Sequence, residues 1–182
     1  MVSSLSIGEL VRRARRGVPE AFEELARRHL RAAYAVALAV LGRPSDAEDV
    51  AQEAFVVAIE RLEQCREPDR FSGWLIEIVR TRALNALAKR GRREGSEPID
   101  DAAVDHDRGD VALRSRLLDA LAQLSEVQRE VVLLHDLEGW THAEIAAALG
   151  LSEVNCRQHL FTARRALRGG LAALAPAEAH HG

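Results

Sequence analysis

The stretch Val154-Asn155-Cys156-Arg157-Gln158-His159-Leu160-Phe161-Thr162-Ala163-Arg164-Arg165-Ala166-Leu167-Arg168 contains amides, hydroxyl groups and guanidinium groups, but no acid. Cys156, Leu160, Ala163 and Leu167 recur at spacings of four, three and four, which places them on one face of a helix. The opposite face then presents Asn155, Arg157, Gln158, His159 and Thr162, with Arg164, Arg165 and Arg168 beyond. Amides and Arg forks suit base edges in a major groove, and further Arg residues suit phosphates. Just upstream, Thr141 to Ser152 reads as a short helix, a turn at Gly150 and the start of a second helix, the helix-turn-helix pattern. Helix pairs with a Gly turn also occur in plain bundles, so spacing alone leaves a DNA-reading face and a solvated face both open.

A second set lies at residues 71–93. Phe71 and Trp74 precede Arg80, Arg82, Asn85, Lys89, Arg90, Arg92 and Arg93, six cations and no acid in the last 14 residues. Aromatic rings stack on unpaired bases and cations hold a backbone, a combination suited to single strands. Phe71 and Trp74 at i and i+3 are nevertheless more often core residues than stacking platforms. The cations repel one another unless a polyanion is near.

The formal net charge of −3 over 182 residues hides this set. Residues 1–94 hold 17 basic and 14 acidic side chains; 95–110 hold one Arg and six acids; 111–182 hold seven basic and eight acidic. The middle stretch has Gly, Pro and Ser and no apolar period, so it reads as an acidic linker between two modules, 1–94 and 111–182. Two cysteines, Cys65 and Cys156, are too few for a disulfide framework and suit a reducing compartment. No apolar run reaches the length of a membrane span, and Ser3, Ser4, Ser6 and Glu9 interrupt any leader-like core, so a cytoplasmic protein is expected, neither secreted nor integral to a membrane.

The elements that must position both sets are helices. Phe22, Leu25, His29, Ala33, Tyr34, Ala37, Leu38 and Leu41 carry a helical period between Pro19 and Gly42. Ser45 with Glu48 reads as a capping box for a helix through Val50, Phe55, Ile59 and Leu62. A helix from Ser72 to Arg93 and a short one over 6–16 complete the first module. In the second, a helix through Leu113 to Leu124 is followed by helices capped by Ser125 with Gln128, Thr141 with Glu144, and Ser152. Period-two alternation is absent, and the fold class is all-α.

Other chemistries find little footing. Phosphate-binding Gly loops, HExxH and nucleophile elbows are absent, so no enzyme, cofactor or small-molecule substrate is expected. Asp46 and Asp49 sit at an exposed helix start and would make poor general acids. Cys156 and His159 supply only two ligands, so no metal is expected.

At these residues the chain resembles the extracytoplasmic-function (ECF) group of bacterial RNA polymerase sigma factors, in the sigma-70 family. Ser45 to Phe55 is similar to the family's polymerase-binding signature. Phe71-Ser72-Gly73-Trp74-Leu75 and its basic helix resemble the promoter-melting region. Leu124 to Val131, Glu138 to Thr141 and Ala163 to Leu167 resemble the C-terminal DNA-binding region. The resemblance implies transcription initiation. Asp46, Asp49, Gln52 and Glu53 would dock on the β′ clamp helices of core RNA polymerase, with the β subunit also contacted. Arg70, Phe71, Trp74, Arg80, Arg82, Asn85, Lys89 and Arg90 would bind the minus-ten promoter element, the segment around Arg70 and Phe71 receiving a flipped base. Thr141, Asn155, Arg157, Gln158, His159, Thr162, Arg164 and Arg165 would read the minus-thirty-five element. The linker would thread toward the polymerase active site, and an anti-sigma factor would control the protein.

The recognition segment departs from the family's usual Gly-Thr-Val and Ser-Arg pattern, with Val154-Asn155-Cys156 and Arg157-Gln158-His159 in its place, so no promoter sequence carries over. The rival reading is a helix-turn-helix regulator that binds duplex DNA as a dimer. It accounts for residues 125–168 but not for the basic helix or the acidic linker.

Overall fold

Pro19, whose missing N–H costs nothing in a first turn, opens a helix of 23 residues, and Gly42 closes it in the left-handed conformation at φ 69°. The computed structural model describes residues 4–93 and 108–173. Among the described residues the helices are α1 (Ile7–Arg15), α2 (Pro19–Leu41), α3 (Pro44–Glu60), α4 (Phe71–Arg93), α5 (Arg108–Ala122), α6 (Glu126–Val132), α7 (His142–Leu149) and α8 (Glu153–Ala173), with no strand. The all-α expectation holds. Most of the acidic linker lies outside the described residues, and α5 begins at Arg108, inside the stretch read as linker.

The N-terminal half is α2, α3 and α4 packed on one another with α1 laid across α2. Ala32, Ala33, Ala35, Ala37 and Ala39 of α2 and Ala47, Ala51, Ala54 and Ala58 of α3 are buried, so these backbones approach closely. Leu25, Val36, Phe71, Leu75, Ile76 and Val79 fill the remaining space at no exposure or nearly none. Arg15 of α1 donates to the Leu62 carbonyl at 3.0 Å and also to that of Cys65, fixing the chain after α3.

One expected start signal gives way. The α3 N-cap is Arg43, with Pro44 opening the helix and no side-chain cap, so the Ser45–Glu48 capping box does not form. Proline's fixed φ starts the helix one residue before Ser45 could serve as cap, and Ser45 falls inside the first turn. The other caps form as read: Ser125 with Gln128, Thr141 with Glu144, and Ser152, whose hydroxyl accepts from the Asn155 N–H at 3.1 Å.

In the C-terminal half α6 ends at Val132 and widens into a π-helical turn, Leu133–Leu137, closed by Gly139 at φ 72°. Val131, Leu134, Ile145, Cys156, Leu160 and Ala163 form its core. The halves touch: α7 packs on α4, while α6 and the π turn pack on α2.

Candidate nucleic-acid interface

Gly150 takes φ 67° and turns the chain between α7 and α8, and the Leu151 N–H returns to the Ala146 carbonyl at 2.9 Å. Cys156, Leu160 and Ala163 are buried against α6 and α7, as their spacing requires. Burial pushes the Cys156 thiol above its ordinary value, so it stays a protonated core group. The outer face exposes Asn155, Arg157, Gln158 and Arg165, with His159 and Thr162 half-buried at its margin. Two members are tethered: Arg157 pairs with Glu153 at 2.9 Å, and Arg164 is gripped by Asp136 of the π turn, its Nε donating at 2.9 Å. The Thr141 hydroxyl is engaged in its capping box, accepting from the Glu144 N–H at 3.2 Å. Sequence reading passed over Val154 and Phe161, which are 68% and 63% exposed on the same outer face. Their signal was available: at two residues before and five after Cys156, a helix wheel places them opposite its buried side.

The second set divides differently. Phe71 is fully buried, its ring meeting His29 edge-on at 5.4 Å and Trp74 at 5.8 Å. Phe71 thus takes the core place that its i, i+3 spacing with Trp74 favoured, and not the minus-ten contact that the resemblance implied: the helical core needs a large apolar filler where α4 begins, and the ring is spent there. Trp74 is half-buried and, with exposed Arg70, lines an open cavity of about 340 Å³.

Along α3 and α4 the acids and cations face each other across a groove of about 500 Å³. Arg82 pairs with Glu53 at 3.1 Å, and Arg90 with Asp46 at 3.2 Å. Asp49, Gln52, Asn85 and Lys89 are exposed beside them. The acidic set and the basic set, read separately from the sequence, are thus the two walls of one groove. Arg80 lies apart, half-buried and turned toward α6.

The fold and these surfaces define a two-part helical DNA-binding factor, with a helix-turn-helix in its C-terminal half. Residues 25–93 match the family described as sigma-70 region 2, and residues 114–167 match sigma-70, region 4. The ECF RNA polymerase sigma factor SigE of Mycolicibacterium smegmatis is 32% identical over 159 residues, covering 83% of this chain and 62% of that protein. The RNA polymerase sigma factor CarQ of Myxococcus xanthus is 33% identical, covering 77% of this chain and 83% of its own length. Among solved structures, CnrH in complex with the cytosolic domain of CnrY superposes with a TM-score of 0.70 at 27% identity, over 92% of this chain and 97% of that one. The chain belongs to the ECF group of the sigma-70 family of RNA polymerase sigma factors. Both regions in one chain, in family order, set aside the stand-alone dimeric regulator.

Proposed function

We propose that this chain is a cytoplasmic, non-enzymatic initiation factor that binds core RNA polymerase and brings it to promoters through separate contacts in its two halves. The observation that carries the reading is the pairing of sigma-70 region 2 and region 4 with an exposed recognition face on α8 that holds no acid after Glu153. No described helix is long and apolar enough to cross a membrane. The proposed units are residues 1–94, for polymerase and the minus-ten element, a connecting stretch 95–110, and residues 111–182, for the minus-thirty-five element.

Asp49, Gln52, Glu53 and Asp46 form the polymerase-docking wall, and Arg82, Asn85, Lys89 and Arg90 the DNA wall of the same groove. Asp46 and Glu53 pair with Arg90 and Arg82 until phosphates replace the carboxylates. Trp74 and Arg70 flank the place for an unstacked base, and Arg80 joins them once it is released from α6. On α8, Asn155, Arg157, Gln158, His159, Thr162 and Arg165 read bases and phosphates, while Phe161 offers an apolar face to thymine methyl groups. Thr141 and Arg164 serve at the edge of this surface. An anti-sigma factor as controlling partner is supported by the similarity to CnrH, solved with the cytosolic domain of CnrY.

The test is run-off transcription with purified chain, core RNA polymerase and fragments of the source genome. New start sites dependent on the chain are expected. Duplex binding as a dimer with no polymerase association and no transcripts would overturn the reading.

A further inference from the structure

Among the described residues the two large apolar side chains left most open to solvent are Val154 and Phe161, and both stand on the outer face of α8. Seven residues apart, they lie about two turns from one another on a single ridge, opposite the buried seam of Cys156, Leu160 and Ala163. Arg157 and Gln158 fill the turn between them, and Arg164 and Arg165 follow Phe161 at three and four residues. Val154 also stands where the resemblance has glycine, so this chain carries a side chain at a point that glycine would leave bare.

We infer that Val154 and Phe161 are specificity-determining residues that read the C5 methyl groups of two thymines in the upstream promoter element, spaced to match the rise between the two side chains. The inference rests on the reading of α8 as the helix that enters the major groove. Seven residues of helix rise about 10.5 Å, which covers roughly two to three base-pair steps, the lower number where the helix follows the slant of the groove.

An apolar pair set among further apolar residues would suit a protein partner. Here each member is flanked by guanidinium and amide groups, and α8 holds no acid after Glu153, so the ridge fits a polyanion that displays isolated apolar points. Duplex DNA is such a surface: the thymine methyl is the apolar group in its major groove, and the other three bases lack it. Arg157 turns back to Glu153 at 2.9 Å and Arg164 is drawn to Asp136, so two cations of the ridge lean toward the protein while the apolar tips stand forward. Covering one methyl group raises affinity about fourfold, enough to discriminate between bases.

Deoxyuridine in place of thymidine deletes that methyl group and leaves base pairing intact. Holoenzyme assembled from core RNA polymerase and the full chain is assayed for binding to a promoter found by the run-off experiment, with each thymine of the upstream element, on either strand, replaced in turn. At two positions with the stated spacing, the replacement should lower wild-type affinity about three- to fivefold. One of these losses should vanish in Val154→Ala and the other in Phe161→Ala, because the contact is already gone. At the same positions 5-methylcytosine should bind wild type better than cytosine does, and the matching variant equally. Both side chains are exposed, so neither variant should change the melting temperature.

An upstream element indifferent to every deoxyuridine, or methyl dependence kept in full by both variants, overturns the inference. Weakened core-polymerase association in the variants would assign the ridge to a protein contact and overturn it as well. Absence of any transcript dependent on the chain overturns the initiation-factor reading itself, and this inference with it.

Discussion

His29 Nε2 lies 2.8 Å from the Ser72 hydroxyl while its Nδ1 lies 2.7 Å from the Leu25 carbonyl, so one buried imidazole ties α2 to the start of α4. The carbonyl requires a proton on Nδ1, and Nε2 therefore accepts from the serine in the neutral ring. Burial lowers the His29 pKa, in keeping with that neutral form.

His29 and Glu130 give stability opposite pH dependence. A lowered His pKa supplies stability present above the unfolded value and lost as pH falls below it; the raised carboxyl of Glu130, at about 7 against 4.5, supplies stability present at low pH and lost as pH rises through 7. In Glu130→Gln, acidification from pH 7.5 to 5.5 should lower urea stability through His29. In His29→Asn the same change should raise it, by roughly 2 kcal/mol at about 1.4 kcal/mol per unit. Parallel pH profiles for both variants would refute the assignment.

Phe71 works through packing. Phe71→Ala should cost about 3–5 kcal/mol in denaturant unfolding, with Phe71→Leu recovering much of it. Trp74→Ala should cost less stability and more promoter opening, read by permanganate reactivity of unpaired thymines. Equal stability losses in the two alanine variants would contradict their different burial.

Arg165→Ala and Gln158→Ala should weaken use of the upstream element while leaving polymerase association unchanged in a pull-down. Arg157→Ala should act in the same direction, its Glu153 partner notwithstanding, since an exposed pair is worth under about 1 kcal/mol. Loss of polymerase binding in these variants would sink the separation of surfaces.

Asp49→Arg should impair polymerase association without changing the melting temperature, because Asp49 is exposed on the α3 wall of the groove. Unchanged association would remove this residue from the docking wall.

Thr141→Ala removes a hydroxyl that accepts from the Glu144 N–H at 3.2 Å and donates to the Glu144 carboxylate at 2.7 Å. A loss of about 1 kcal/mol is expected from thermal unfolding. Its effect on DNA binding should follow that loss and be recovered by Thr141→Ser.

Much of the molecule is local and therefore readable along the chain. Helical period, the Ser125 and Thr141 capping boxes and the left-handed glycines Gly42 and Gly150 each depend on residues within a few positions of one another. The buried seam Cys156, Leu160 and Ala163 follows from the same rule. Even the Ser45 misreading is local, a competition with Pro44 one residue away.

Partnership across long separations is not written in any window. Phe71 and Trp74 look alike as aromatic residues before a basic helix, yet only the approach of His29, 42 positions earlier than Phe71, shows which ring is enclosed. Asp46 and Arg90, or Glu53 and Arg82, read as two separate charge sets until α3 and α4 lie side by side. The sequence by itself determined the helices, the family and the polar face of α8. The tertiary structure decided which cations are turned toward DNA and which toward the protein, because electrostatic pairing depends on distance through space, and Arg80 meets Glu130 only through the packing of α4 near α6.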